Sequence, residues 1–279
     1  MALVLTLRSA IDLPIDLSSI QPASLVSRSH LEVAERRVRM GKEEVTVGEV
    51  FSLSGTLEDA TIIFEGDLRA AEGIGRELAE GNIVVRGSVG SHAGWRMKGG
   101  TISIDGNAGH SVGAAMAGGT IRVRGDAGDD VGFDAGRMVG MTGGTITIDG
   151  SAGRYVGRKI RRGTIAVRGS IGLGAMTDAI AGTVLVLGSC DRLAGAGMRR
   201  GSLILLGDEP TEILPTFRRG RHARPLMLSL LIPHLASLGF GVDHHFVRTD
   251  LRQYHGDQSS LGLGEIFTAA GAEWRQAGC

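Results

Sequence analysis

Between Gly81 and Gly207 the chain repeats itself, and no other feature constrains its fold as tightly. The units open Gly81-Asn82-Ile83, Gly100-Thr101-Ile102, Gly119-Thr120-Ile121, Gly144-Thr145-Ile146, Gly163-Thr164-Ile165, Gly182-Thr183-Val184 and Gly201-Ser202-Leu203, at spacings of 19, 19, 25, 19, 19 and 19 residues. A fixed period of this length in a folded chain means stacked coils. Within a unit such as Gly100-Thr101-Ile102-Ser103-Ile104-Asp105-Gly106, apolar and polar residues alternate, as in a strand with one buried face. Each coil offers two inward residues: Ile102 and Ile104, Ile121 and Val123, Ile146 and Ile148, Ile165 and Val167, Val184 and Val186, Leu203 and Leu205. Stacked at about 4.8 Å, these form continuous aliphatic columns, the core of a parallel β-helix. Glycine makes up 45 of 279 residues, and the corners of such coils account for the excess.

Two rival solenoids fit less well. A left-handed hexapeptide helix needs coils in multiples of six residues, and 19 is not one. A calcium-binding nonapeptide roll would repeat its carboxylates, but the place held by Asp105 and Asp149 is held by Arg124 and Arg168 in neighbouring coils. The expected fold is therefore all-β, with about seven to eight rungs. Residues 1–55 form an N-terminal cap segment, 56–210 the β-helix, and 211–279 a partly helical C-terminal segment packing on the helix or on partner subunits.

In chain order, Leu3 to Leu7 reads as a strand and His30 to Arg39 as a short helix. Val45 to Leu53 alternates again, and Thr61 to Phe64 reads as a first, irregular rung. The unit from Gly119 carries six additional residues around Phe133-Asp134-Ala135-Gly136-Arg137-Met138-Val139, a corner insertion of the kind solenoids use for binding. The last two rungs point Leu185, Leu187, Ile204 and Leu206 outward, so something covers that face: the C-terminal segment or a partner. Arg224 to Leu238 is an apolar helical stretch with Pro233 inside it, ended by Gly239 to Gly241. Beyond Ala269 a loosely held tail is expected.

The chain balances 30 basic against 30 acidic residues, which argues against a nucleic-acid binder. Cys190 and Cys279 do not read as a disulfide framework, and no run approaches the length of a membrane span. With no secretory pattern at Met1 to Leu7, a cytoplasmic location is expected.

Chemistry is sparse. There is no nucleophile elbow and no phosphate loop. His244, His245 and His255 lack flanking ligands at metal spacing, and ordinary loop histidines are the expectation. Asp126, Asp129, Asp130 and Asp134 cluster at the long corner without the aromatic platforms of sugar-cleaving β-helices. The basic groups are the clearest signal. Arg154, Arg158, Lys159, Arg161, Arg162 and Arg168 occur with no acid between Asp149 and Asp178; Arg199 and Arg200 match Arg161 and Arg162 two rungs along; Arg218, Arg219 and Arg221 form a third group with Arg224. They are either an anion-binding surface or solvated edge arginines that keep strands from pairing with strangers.

The glycine rungs (Gly106, Gly109, Gly113; Gly125, Gly128, Gly132; Gly150, Gly153, Gly157) resemble the β-helical domain of the glutamate synthase large subunit. Adding the lead-in Phe51-Ser52-Leu53-Ser54-Gly55 and the closing Tyr254-His255-Gly256-Asp257 and Gly264-Glu265-Ile266, the stretch from Val45 to Ile266 is more similar to the formylmethanofuran dehydrogenase C-subunit family. It is most like the bacterial form in the formyltransferase/hydrolase complex. The resemblance implies a right-handed parallel β-helix with no active site, no metal and no covalently bound cofactor of its own. Its partners would be amidohydrolase-like, formyltransferase-like and molybdopterin-enzyme-like subunits, in a cytoplasmic complex touching neither nucleic acid nor membrane. That complex passes formyl from tetrahydromethanopterin to a methanofuran-type carrier and hydrolyses it to formate. Under this reading Arg154, Arg158, Lys159, Arg161, Arg162, Arg199, Arg200, Arg218, Arg219 and Arg221 hold the glutamate-rich tail of the carrier. The alternatives are membership of a molybdenum or tungsten formylmethanofuran dehydrogenase, and a stand-alone carbohydrate-binding or carbohydrate-acting β-helix. The dominance of arginine over lysine (only Lys42, Lys98 and Lys159) favours a methylotrophic bacterium over a methanogen.

Overall fold

A computed structural model describes residues 2–26, 28–56, 58–207 and 212–269. The repeat folds as its period requires. Eight strands, from Thr61–Glu65 through Asn82–Arg86, Thr101–Ile104, Thr120–Val123, Thr145–Ile148, Thr164–Val167 and Thr183–Val186 to Arg200–Leu205, stack in parallel within a 13-stranded sheet. The register places like on like: Ile102 pairs with Ile121, Ile121 with Ile146, Ile146 with Ile165 and Ile165 with Val184. All twelve inward residues are buried, and the six-residue insertion after Gly132 leaves this register intact. Single-residue parallel bridges form a second side, running Leu68, Val89, Ala108, Ala127, Ala152, Ile171, Cys190. Tight turns form the third side, closing the core with pairs such as Val112 and Met116. At these turns Gly113 sits at φ +62°, where an added Cβ would collide with Ile146, two coils on.

The N-terminal segment supplies Leu3–Leu7 as a parallel neighbour of Thr61–Glu65, with Phe51–Gly55 antiparallel beyond it. Two sequence expectations fail here. The helix from His30 stops at Ala34, because Arg37–Met40 is drawn into a small sheet with Glu43–Thr46 and Ile15–Asp16. The alternation from Val45 to Leu53 is broken by a helical turn, Val47–Val50, where Glu49 Oε2 accepts hydrogen bonds from Thr46 N (2.6 Å) and Thr46 Oγ1 (2.9 Å).

The cover over the late rungs is the chain's own C-terminal segment. Ala166, Leu185, Ile204 and Leu206 are buried beneath Leu228, Leu231, Ile232 and Leu235 of the helix Leu228–Ser237, with Phe240, Val242 and Leu251 completing a second core. Leu185, Ile204 and Leu206 are thus unavailable as a contact surface for partners, and Leu187 is half-buried against the same cluster. Two arginines clamp the segment: Arg122 spans Asp149 (3.0 Å) and the Leu238 carbonyl (3.4 Å), and Arg168 donates to the Gly241 carbonyl (3.1 Å) over the Phe240 ring. Gly239 ends the helix at φ +79°. The strand Leu263–Thr268 then returns to pair in parallel with Arg200–Leu205, adding a further partial coil that the 19-residue period did not reveal. Leu251–Gly256 and Arg218–Ala223 follow antiparallel. The expected tail beyond Ala269, Cys279 included, lies outside the described residues. Among the described residues, no helix is long and apolar enough to cross a membrane.

Candidate anion-binding corner

Where the third side turns into the next strand, a backbone N–H of each coil donates to a carbonyl of the coil before it. Arg161 bonds to Met141 (2.9 Å), Ile180 to Ile160 (2.8 Å), Arg199 to Ala179 (2.8 Å) and, at the closing coil, Asp257 to Met198 (3.2 Å). These four residues therefore stand in one file. Arg161 and Arg199 are two strand spacings apart, about 10 Å, with the smaller Ile180 between them. Arg162, Ala181 and Arg200 make a parallel file one residue on. A third file, Lys159, Asp178 and Gly197, flanks the first, and the gap forms a groove of about 470 Å³ lined by Met138, Lys159, Asp178, Ile180, Arg199 and the two serines Ser259 and Ser260. Asp257 holds the serine loop in place: its carboxylate accepts from Ser259 N (2.8 Å), Ser259 Oγ (2.7 Å) and Gly197 N (3.0 Å). Burial pushes this carboxyl upward, but the bonds from Ser259 and Gly197 outweigh it and keep Asp257 below the usual carboxylate range.

The ten sequence-predicted cations separate. Lys159, Arg161, Arg162, Arg199 and Arg200 meet at this corner, and the four arginines are exposed and form no ion pair among the described residues. Arg154 is committed elsewhere, its Nη2 3.1 Å from Asp129. Arg158 lies over the rings of Phe133 (4.9 Å) and Tyr155 (5.1 Å). Arg218, Arg219 and Arg221 belong to the strand Arg218–Ala223, three strands beyond the corner's own strand in the sheet. Sequence reasoning placed Met138 in the corner insertion without linking it to the cations, and it missed Asp178, Ser259 and Ser260. For Asp178 the signal was available, since it lies one period after Lys159; the serines come from a loop that the repeat does not reach.

The other candidates resolve into structure. Phe133 is buried, and the exposed tip of the insertion is residues 135–139, Met138 and Val139 being its large apolar side chains. Asp134 accepts from Trp95 Nε1 (2.8 Å), reaching past the intervening small coil at Ala114. Asp126 accepts from Ser151 N (2.8 Å) and Asp129 from Arg154 N (2.8 Å), so both join coil to coil. Burial and then the nearby Asp129 charge raise the carboxyl of Asp130. His245 packs on Phe246 and contacts Asp243, and no group of three His, Cys, Asp or Glu is placed to hold a metal among the described residues.

No family model matches the chain. It is similar over nearly its whole length to a chain of the crystal structure of the formyltransferase/hydrolase complex (FhcABCD) from Methylorubrum extorquens in complex with methylofuran: 33% identity and a TM-score of 0.82, covering 96% of this chain and 99% of that one. The C-subunit of the formyltransferase/hydrolase complex Fhc of the same organism is 37% identical over 87 residues, 30% of this chain and 32% of that protein. The C-subunit of tungsten-containing formylmethanofuran dehydrogenase 2 of Methanothermobacter wolfeii is 34% identical over 96 residues, 33% of this chain. That alignment spans 36% of the Methanothermobacter wolfeii protein, about a third of its length.

Proposed function

Since the chain belongs to the C-subunit family of formyltransferase/hydrolase and formylmethanofuran dehydrogenase complexes, we propose that it is a structural and carrier-docking subunit that performs no bond chemistry itself. The proposed complex is cytoplasmic, converts formyl-tetrahydromethanopterin to formate through a methanofuran-type carrier, and leaves the chemistry to amidohydrolase-like, formyltransferase-like and molybdopterin-enzyme-like subunits. The observation that carries the reading is the full-length likeness to one chain of a solved formyltransferase/hydrolase complex. The chain's own geometry supports it, since the coils are spent on packing and the unpaired charge gathers on a few surfaces. The division into cap (1–55), β-helix (56–210) and C-terminal segment (211–279) is part of the same proposal.

The corner groove is where the anionic tail of the carrier docks. Cations in file along a rigid rod match a chain of repeating carboxylates better than a single phosphate, and arginine provides the bidentate fork. Arg162 and Arg200 extend the track beyond the groove. Two measurements test this. Native mass spectrometry of the untagged protein from its source should show fixed partner subunits, and a chain recovered alone removes the complex reading. Replacing Lys159→Glu together with Arg199→Glu should weaken retention of a poly-glutamate carrier by at least about tenfold, since two charge-assisted contacts are lost; unchanged retention removes the corner as its site.

A further inference from the structure

We infer that the strand Arg218–Ala223 is a docking edge, to which an acidic, extended segment of a partner polypeptide adds as one more strand of the sheet. The inference rests on the proposal that the chain works inside a complex. The two ends of the 13-stranded sheet are finished differently. At the N-terminal end the last strand, Phe51–Gly55, carries no charge and lies beside the helices His30–Ala34 and Val47–Val50. At the other end the last strand reads Arg-Arg-Gly-Arg-His-Ala, and none of its six residues is buried. Its partner on one side is Leu251–Gly256, across a ladder interrupted between Arg219 and His222. Beside its backbone ladder the strand is held by the Arg252 guanidinium on the Gly220 carbonyl (3.3 Å), and its outer edge, which no described strand pairs, presents N–H and C=O groups in the pattern that accepts another strand.

Charge selects the kind of strand. Arg218, Arg219 and Arg221 are exposed and make no ion pair among the described residues. The acids around them are already engaged: Asp250 with Arg224 (2.8 Å), Glu265 with Gln253 (2.7 Å), and Asp257 with Ser259 and Gly197. The imbalance is general to the C-terminal half of the sequence. Residues 151–279 hold 16 basic and 10 acidic side chains, whereas residues 1–150 hold 14 basic and 20 acidic. Three arginines on an edge repel a second copy of the same edge, which blunts self-association while leaving an acidic strand welcome. An extended partner segment carrying Glu or Asp at alternate positions fits both the ladder and the charge.

Hydrogen–deuterium exchange on the purified complex and on the isolated full chain tests the ladder directly. Amides of residues 218–223 should exchange at least about tenfold more slowly in the complex, since a pairing strand fixes them; equal exchange in a demonstrably intact complex overturns the inference. Charge is tested with Arg218→Glu combined with Arg221→Glu. Recovery of the chain in the complex should fall about tenfold, while the Arg218→Lys, Arg221→Lys pair retains most of it. Full assembly by the glutamate variant likewise overturns the inference. A chain that enters no complex at all shows a different failure, that of the proposed function on which the inference rests.

Discussion

At the corners, single side chains carry the bonding from coil to coil. Ser88 Oγ accepts from Asn107 N (3.0 Å), Asn107 from Asp126 N (2.9 Å), Asp126 from Ser151 N (2.8 Å), Ser151 Oγ from Ser170 N (3.1 Å) and Ser170 Oγ from Ser189 N (3.1 Å). Alongside, His110 Nδ1 accepts from Asp129 N (3.0 Å), and Asp129 passes the pattern on to Arg154 N. The backbone bond from Arg154, followed by the guanidinium of the same residue, holds the Asp129 carboxyl below its ordinary range. A depressed folded value means that the carboxylate stabilises the fold above the unfolded carboxylate range and that this is lost as pH falls through the lower folded value. Asp129→Asn keeps an acceptor for Arg154 N but removes the titration. It should cost roughly 0.5–1.5 kcal/mol at pH 7 and flatten the acid limb of denaturant-measured stability below about pH 4; an unchanged acid limb would refute the assignment. Cys190 illustrates the opposite environment: burial, then the neighbouring Asp191, pushes its thiol up to about 12. Iodoacetamide at pH 8 should leave Cys190 unmodified in the native protein and label it in denaturant, as read from its peptide by mass spectrometry. The aspartates at this corner were visible in the sequence as a cluster, but their role was not. A ladder of acceptors has no signature beyond small polar residues one period apart.

Among the elements, those set by the period were legible and those set by tertiary recruitment were not. Ile102, Ile121 and Ile146 announce their own strands because each sits in the same phase of a 19-residue coil. Leu263–Thr268 belongs to the same sheet but comes 63 residues after Arg200, so no spacing connects them. Arg37–Met40 was lost to the helical reading because its charged residues fit a solvated helix as readily as an edge strand. The covering helix was legible in kind, since outward Leu185 and Ile204 required a lid, yet it begins at Leu228 and not at Arg224. That lid is held by burial: Leu235 is fully buried against the second core. Leu235→Ala should cost about 2–4 kcal/mol by leaving a cavity under the helix, detected as a lower midpoint in urea; a loss under about 0.5 kcal/mol would mean that Arg122 and Arg168, not packing, hold the segment.

For the molecule as a whole, stacking in chain order converts a sequence asymmetry into a spatial one. The acidic excess of residues 1–150 and the basic excess of residues 151–279 cancel in the total, so overall composition hides them. Along a rod they do not cancel at its ends, because the outermost charges of the N-terminal and C-terminal ends are separated by several coils, farther than the roughly 8–10 Å over which physiological salt lets charges feel one another. An approaching acidic partner is therefore drawn to the C-terminal end, where Arg199, Arg200, Arg218, Arg219 and Arg221 are exposed. Such long-range attraction acts on encounter more than on the docked state. Raising salt from about 50 to about 500 mM should slow association of the chain with its partner subunits at least about tenfold while changing dissociation little. Stopped-flow or surface-plasmon kinetics on the full chain measure both rates. Salt acting on dissociation alone would mean that the end-to-end charge asymmetry plays no part in assembly, and that the exposed arginines act only through contacts made after docking.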